Sequence, residues 1–400
     1  MTRGRTIFIF ASFLTVSLVV GGSMWASTAG RQDDDGRDSL YKYLAVFSEV
    51  LGLIDRAYVD ETQVEILMAG AFEGAADALD PFSLYVPSRA VSGYSAAREI
   101  GVSRGGMLVL KERGVAYAVA VESGSPAAGA GIEAGDILTL LQGESTRPMP
   151  LYRIHTILAG PVGSKIEIEL IHRGNKEDVS FELSEYERPG VTLETHKGIA
   201  VLKIGAFLQS TPDDVALSLR SLADPAAGLG EPAEKDKLLI DLRGIAGGAE
   251  EAAYRIAGLF AQGDLGALKS REQVVENFAA DATPSWQGRL AVLLDRASQG
   301  PAEVLATVLR QRAGATLVGM PSFGLAGRQS LVRLSNGDRF QITDSFFTGP
   351  DQEPIRGALE PDVAVRPSYD LDVDALEDAI LERGLTLLIE DEVVEEKQAA

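Results

Sequence analysis

The chain has 400 residues, a formal net charge of −21 at pH 7 and no cysteine. This length allows two or three domains with separate hydrophobic cores. The absence of cysteine excludes disulfides, thiolate-zinc sites and thiol nucleophiles, and the negative charge argues against nucleic acids and anionic membrane surfaces as general partners. No residue pattern requires a metal ion or a cofactor, so we expect neither.

The N-terminus carries a targeting pattern. Residues 7–25 are uncharged and mainly apolar, Arg3 and Arg5 precede them, and three aspartates follow at 33–35. This asymmetry predicts insertion with the N-terminus inside, so the body of the protein is expected in the periplasm or otherwise outside the cytoplasm. Residues 1–30 are therefore predicted to be a signal peptide or an inner-membrane anchor. Cleavage near the small residues 27–29 would give a secreted protein, and both outcomes remain open.

Residues 40–97 show a helical pattern. Leu44, Phe47, Val50, Leu51 and Ile54 repeat at helical spacing, a break follows near 58–60, and a second apolar pattern covers 64–79. The periodicity predicts two packed helices, the second ended by the Asp-Pro pair at 80–81, because the residue before proline avoids the α region.

Residues 98–185 contain a Gly-Ser-Pro-Ala segment at 124–127, Ala-Gly-Ile at 130–132, Gly-Asp at 135–136 and Gly-Pro-Val-Gly-Ser at 160–164. These segments predict a short helix after a strand, a tight turn and further strands. The ordered set resembles a PDZ domain. That resemblance implies that a peptide is added as a strand, with its C-terminal carboxylate held by the backbone of a glycine loop.

The resemblance also implies a set of groove residues. The glycine loop is predicted at Arg104, Gly105, Gly106 and Met107, where Arg104 either assists the carboxylate or is a solvated turn residue. His155 is interpreted as a groove or surface residue rather than a metal ligand, since no ligand partner lies at helical spacing. The opposite wall would be the helix that carries Leu151, Ile154, His155 and Leu158.

Residues 186–386 are predicted to form an α/β core, followed by a solvated acidic tail over 387–400. Apolar runs predict strands at 199–204, 237–242, 290–294 and 316–318, with helices at 211–222 and 301–312. Strands that alternate with helices are typical of a mainly parallel sheet.

Five segments resemble C-terminal processing peptidases, also called tail-specific serine proteases. They are Leu-Asp-Pro-Phe-Ser-Leu-Tyr at 79–85, Asp-Leu-Arg-Gly-Ile-Ala-Gly-Gly at 241–248, Ser-Gln-Gly-Pro-Ala-Glu at 298–303, Phe-Gly-Leu-Ala at 323–326 and Gly-Ala-Leu-Glu-Pro-Asp-Val at 357–363. The resemblance spans about 41–386. It implies a ClpP/crotonase-like α/β core with an N-terminal helical region and an inserted β-rich PDZ domain.

The same resemblance places unreactive residues at the catalytic positions. Gly300 takes the place of the serine nucleophile and Leu325 the place of the lysine base, and a Ser/Lys dyad needs both a hydroxyl and a neutral amine. Gly247 and Gly248 match the glycines of the oxyanion region, whereas Pro301 has no N–H to contribute. Gln329 matches a glutamine that the family keeps beside its lysine.

These residues favour an inactive pseudopeptidase that binds protein C-termini, as an adaptor or as a regulator of an active relative. The alternative is a serine endopeptidase that uses Ser298, or Ser322, or residues borrowed from a partner. A base is then missing, because no lysine occurs between Lys269 and Lys397 and the three histidines lie far upstream, at 155, 172 and 196. A structural envelope protein that uses the empty cleft for contacts is a third possibility.

Overall fold

The computed structural model describes residues 31–100, 104–188, 190–223, 234, 236–245, 247–366 and 379–390. The predicted targeting segment at 1–30, Ala246 of the glycine turn and residues 391–400 of the predicted tail lie outside this set. No helix within the described ranges is long and apolar enough to cross a membrane. The chain divides into two units, residues 1–71 and residues 72–400.

The described helices and strands fall into several layers. The helices are α1 (Arg31–Ala57), α2 (Val64–Asp77), α3 (Val91–Ile100), α4 (Pro126–Gly129), α5 (Leu151–Leu158), α6 (Thr211–Ala223), α7 (Glu250–Ala257), α8 (Pro301–Ala313) and α9 (residues 379–390). The strands are β1 (Leu84–Val86), β2 (Met107–Glu112), β3 (Val115–Val121), β4 (Ile137–Leu141), β5 (Glu144–Ser145), β6 (Lys165–His172), β7 (Asn175–Glu182), β8 (Val191–His196), β9 (Ile199–Ile204), β10 (Lys237–Asp241), β11 (Gly263–Ser270), β12 (Val274–Ala280), β13 (Arg289–Leu294), β14 (Thr316–Gly319), β15 (Gly327–Arg333), β16 (Arg339–Phe347) and β17 (Val363–Ala364).

The first two helices differ in detail from the sequence prediction. Helix α1 begins at Arg31 rather than near residue 40, and α2 ends at Asp77 rather than at Leu79. Leu44 and Val50, predicted on a packed face, are about half exposed (50% and 47%). The prediction of a well-packed helix pair is therefore wrong for these side chains. Helical periodicity identifies the apolar face of a helix, but it does not show whether another element packs on that face.

A six-stranded sheet forms the centre of the larger unit. Its order is β17-β14-β13-β10-β9-β8, and every pair except β8–β9 is parallel. The inner strands are apolar on both faces because helices and loops cover both sides, as expected for a parallel sheet. The predicted strands and helices of the α/β core are observed within two residues of their expected ends.

Two further sheets flank this core. Strands β2–β7 form an antiparallel sheet over residues 107–182, with its own buried cluster that includes Val109, Leu138, Ile154 and Ile168. The other sheet joins β1, β16, β11 and β12, with β15 on β16. Sequence patterns did not predict this second sheet. Its strand β12 is mostly exposed and carries no continuous apolar run.

The parallel strands bring three loops to one edge. Strands β14, β13 and β10 are neighbours, so the segments that follow them (320–326, 295–300 and 242–249) leave from the same edge of the sheet. In α/β sheets such carboxyl-end loops form the usual binding crevice. These three loops contain the segments that resemble a peptidase active site.

Candidate functional site

Glu303 holds two of these loops together. Its side chain is fully buried (0% exposed) in the first turn of α8. It accepts hydrogen bonds from the backbone N–H groups of Gly300, Gly324 and Leu325 and from the hydroxyl of Ser322, at 2.5 to 3.1 Å. Burial nevertheless raises the pKa of this carboxyl above its usual range. Glu303 thus fixes the start of α8 against the 322–325 loop.

Gly300 caps α8 with a backbone that suits glycine. Its φ is +55° and its ψ is −110°, in a region that side chains rarely adopt. The next residue, Pro301, is the first residue of the helix and has no N–H. The position that the resemblance assigns to the nucleophile therefore has no hydroxyl, and its neighbour has no donor for an oxyanion.

Leu325 supplies no base to this cleft. Its backbone N–H donates to Glu303, and its partly buried side chain is a hydrocarbon. Gln329 lies on β15, where its amide donates to the carbonyl of Gly327 at 2.6 Å. The structure gives Gln329 a local backbone partner.

The glycine turn at 247–248 approaches the neighbouring chain closely. Gly248 has a φ of +145°, and a Cβ there would lie 2.6 Å from the carbonyl oxygen of Phe207. No side chain fits without backbone movement, so glycine is required for packing. Gly248 is exposed, and its backbone forms an isolated parallel bridge with Phe207.

Ser298 is a structural residue rather than a relocated nucleophile. It is fully buried, and its hydroxyl donates to the carbonyl of Leu242 and lies 2.9 Å from the carboxylate of Asp295. Asp295 also accepts from the N–H groups of Gly244 and Ala297, and its burial raises its pKa. The Ser298 hydroxyl is therefore held below the surface of the cleft, in the hydrogen bonds of a turn.

The hydroxyl of Ser322 is also engaged in structural hydrogen bonds. It bonds to Glu303 and accepts from the N–H of Leu359 at 2.8 Å, and the residue is 5% exposed. Among the residues that the structure describes, neither serine has a nitrogen base as a hydrogen-bond partner. The relocated-serine hypothesis gains no support from this geometry.

Glu250 is a titratable residue of the cleft that sequence reasoning missed. It is the first residue of α7, two residues after Gly248, and its Oε1 lies 3.5 Å from the point where a Cβ on Gly300 would be. Desolvation, with a smaller effect of Glu251, raises the pKa of Glu250 to about 7, although its own backbone N–H and the charge of Arg328 act in the opposite direction. The only signal in the sequence was a carboxylate two residues after the Gly-Gly turn.

The residues predicted for a peptide groove are mostly covered. Met107, Ile154 and Leu158 are 2%, 0% and 1% exposed and belong to the core of the β2–β7 sheet. These side chains are buried because the inward faces of strand β2 and helix α5 pack against each other, and their role in peptide binding stays a prediction. Gly105 and Gly106 are also buried, and a Cβ on Gly106 would lie 2.0 Å from that of Ser125.

His155 and Arg104 bridge elements of the same domain. The His155 Nε2 lies 2.7 Å from the carbonyl oxygen of Val109 on β2, and burial lowers the pKa of the imidazole. Arg104 donates to the carbonyl of Gly160 at 2.7 Å. Leu151 is partly buried beside Tyr152 and Val91. Within the described ranges, no three His, Asp or Glu side chains are arranged to hold a metal ion.

Comparison with known proteins finds similarity to one group of peptidases. A family model, peptidase family S41, matches residues 198–365, which include all three loops of the cleft. The chain is 26% identical over 355 residues to the carboxy-terminal processing protease CtpB of Bacillus subtilis, covering 86% of this chain and 72% of the relative. It is 23% identical over 372 residues to the carboxy-terminal-processing protease of Bartonella bacilliformis, covering 91% and 83%. The segment that contains the cleft is thus similar to peptidase family S41, and the chain is similar to carboxy-terminal processing proteases over most of its length.

A solved structure supports the fold of this chain. The photosystem II D1 C-terminal processing protease superposes with a TM-score of 0.61 at 21% sequence identity, covering 84% of this chain and 96% of that protein. The mixed α/β architecture with several sheets is therefore that of C-terminal processing proteases. At this identity the likeness concerns the fold alone.

Proposed function

We propose that this S41 homologue binds polypeptides without cleaving them. The observation that carries the proposal is the start of α8, where Gly300 offers no nucleophile and Pro301 offers no N–H. Leu325 provides no base at the position of the lysine, and the hydroxyls of Ser298 and Ser322 are engaged in structural hydrogen bonds. Acyl transfer by a Ser/Lys dyad needs all of these groups together.

The β2–β7 domain, which we interpret as a PDZ domain, supplies a surface for peptide binding. Strand β2 is an edge strand of its sheet, and an edge strand can pair with an extended peptide. The His155 contact occupies the carbonyl of Val109, so an added strand must displace it. The relatives are named as carboxy-terminal processing proteases, which favours protein C-termini as the ligands of this chain. An adaptor, or a regulator of an active relative, fits such binding.

Titration of short peptides onto the purified full chain tests this proposal. Fluorescein-labelled hexapeptides with an apolar last residue would be compared as free acids and as C-terminal amides. We expect the acids to bind with a dissociation constant on the order of micromolar and to remain intact, since ordering one short strand limits the affinity. Equal binding of acids and amides would contradict C-terminal recognition, and cleavage would contradict the proposal as a whole.

A variant of His155 sharpens the test. Because His155→Ala removes the contact that blocks Val109, we expect peptide affinity to rise by about 5-fold, which corresponds to one hydrogen bond of about 1 kcal/mol. His172→Ala is the matched control, since His172 bonds to Asp136 elsewhere in the same domain. Unchanged affinity in His155→Ala would place the peptide site away from β2.

Export completes the proposed function. The apolar run at 7–25 after two arginines supports a location outside the cytoplasm, with contact to the membrane through this segment only. Cell fractionation should recover the full chain with the membrane and a chain without residues 1–30 in the soluble fraction. Recovery of both in the cytoplasm would contradict this location.

A further inference from the structure

The cleft beside Gly300 contains two polar side chains that the peptidase resemblance does not explain. Glu250 points its carboxyl toward the space that a side chain at position 300 would take, with 3.5 Å between Oε1 and that Cβ position. Gln299 precedes Gly300, and its Nε2 lies 3.3 Å from the Cβ position of Gly247. The two side chains therefore lie beside the same pair of loops.

Neither side chain has its hydrogen-bonding capacity filled. The Oε1 of Gln299 is buried without a partner in the part of the chain that the structure describes, and the residue is only 6% exposed. The Glu250 carboxyl meets its own backbone N–H but no side-chain donor among the described residues. A buried polar atom without a partner costs free energy, so a ligand that supplies one is favoured.

The chemistry of the two groups selects a ligand class. The amide oxygen of Gln299 needs a donor, and a protonated Glu250 needs an acceptor. A peptide unit offers an N–H and a carbonyl within a short span, and the exposed backbone of Gly248 lies beside the same cleft. A C-terminal carboxylate offers acceptors only and would be repelled by an ionised Glu250.

We propose that this cleft binds the backbone of an uncleaved polypeptide, with the Glu250 carboxyl donating to a peptide carbonyl and Gln299 accepting from a peptide N–H. The inference rests on the proposed function, because it requires a cleft that holds peptide without cutting it. It adds an internal-backbone site to the C-terminal site of the β2–β7 domain.

Such a site binds best when Glu250 is protonated. Its pKa of about 7 places that change near neutral pH. Two charged groups act on the pKa of Glu250, namely Glu251 on the same helix and Arg328 on β15. The Arg328 guanidinium lies 3.8 Å from the carboxylate of Asp344. Tyr254, one turn along α7, bonds to the backbone at Thr348. No other charge is resolved as acting on Glu250 from the described residues.

Peptide amides test the inference separately from C-terminal recognition. A fluorescein-labelled pool of random 12-residue peptide amides would be titrated onto the full chain between pH 6.0 and 8.5. We expect the affinity of the natural chain to fall roughly 30-fold across this range, following the protonated fraction of a group with a pKa near 7. Glu250→Gln, which keeps a donor at every pH, should bind at pH 8.5 about as well as the natural chain at pH 6.0.

Three variants serve as comparisons. Glu250→Leu removes the donor and should weaken binding at least 10-fold at pH 6.0. Gln299→Leu should weaken binding at both pH values but leave the pH dependence in place. Glu251→Gln is the matched control, since it removes a neighbouring charge from the same turn, and it should keep the pH dependence with a slightly lower midpoint.

The outcomes separate the two proposals. If amides do not bind, or bind equally at all pH values, while free-acid hexapeptides still bind intact, the cleft inference is wrong and the proposed function stands. A pH dependence that persists in Glu250→Gln also overturns the inference. If the peptides are cut and Glu250→Gln abolishes cutting, both proposals fail, and Glu250 is the base of a hydrolase.

Discussion

The two glutamates that flank Gly300 lie in opposite environments. Glu303 is fully buried and accepts four hydrogen bonds, whereas Glu250 is partly exposed at the cleft and has no side-chain donor within the described ranges. The first carboxyl holds the loops of the site in place, and the second lies beside the space next to Gly300. The comparison shows that two carboxyls near the same glycine differ in what they do for the fold. The contacts of Glu303 join two loops, whereas Glu250 makes no comparable contacts among the described residues.

The largest expected effect comes from removing the supporting carboxyl. Glu303→Ala leaves three backbone N–H groups and the Ser322 hydroxyl without their acceptor, so we expect a loss of about 3–5 kcal/mol of unfolding free energy. Chemical denaturation of the full chain measures it. Glu303→Gln, which keeps one acceptor oxygen, should lose less. Glu272→Ala, at an exposed position, is the control and should stay within about 0.5 kcal/mol. A loss under 1 kcal/mol for Glu303→Ala would show that Glu303 does not support the loops.

A methyl group on Gly248 should have the next largest effect. Gly248→Ala places a Cβ 2.6 Å from the Phe207 carbonyl oxygen at a φ of +145°, and we expect a loss of about 2–4 kcal/mol. Gly129→Ala is the matched control, because its Cβ would meet open space in a helix and its φ is not positive. Equal stability of the two variants would mean that the glycine turn is not packed as described.

Glu250→Gln should raise the free energy of unfolding at neutral and alkaline pH, whereas the two preceding substitutions lower it. The folded pKa of about 7 exceeds the ordinary value of 4.5, so this group contributes stability below pH 4.5 that is lost as the pH rises through 7. We therefore expect Glu250→Gln to be more stable than the natural chain by about 2 kcal/mol at pH 8 and nearly equal to it at pH 4.5. Denaturation at both pH values measures the difference, and a gap that does not vary with pH would contradict the environment assigned to Glu250.

Ser298→Ala should have a smaller effect. Loss of the hydroxyl removes its bonds to Leu242 and Asp295, and we expect a cost of about 1–2 kcal/mol. The variant should bind peptides like the natural chain, because Ser298 lies beneath the cleft. A change in peptide affinity without a change in stability would return Ser298 to the candidate functional residues.

The sequence predicted the central sheet and its loops better than it predicted the surfaces. Strands β9, β10 and β13 are continuous apolar runs, and that pattern follows directly from burial on both faces. The antiparallel sheet with β11 and β12 was missed because its strands mix exposed and buried residues and pair with segments distant in sequence.

The sequence also predicted some residues of the candidate site and missed others. Gly300, Pro301 and Leu325 were located through their resemblance to a family, and the structure adds their backbone geometry. The contact between His155 and Val109 joins residues 46 positions apart, so no local pattern could predict it. The role of Glu250 depends on where α7 starts relative to α8, which only tertiary packing determines.

The most direct test of a non-cleaving cleft is an attempt at proteolysis. Purified full-length chain would be incubated with reduced, unfolded casein, and the products would be measured by mass spectrometry, beside a variant with Gly300→Ser and Leu325→Lys. We expect no cleavage by the natural chain and almost none by the variant, because Pro301 still withholds its N–H and one such donor is worth about 10²- to 10³-fold in rate. Cleavage by the natural chain, above all cleavage lost in Ser298→Ala or Glu250→Gln, would contradict this account.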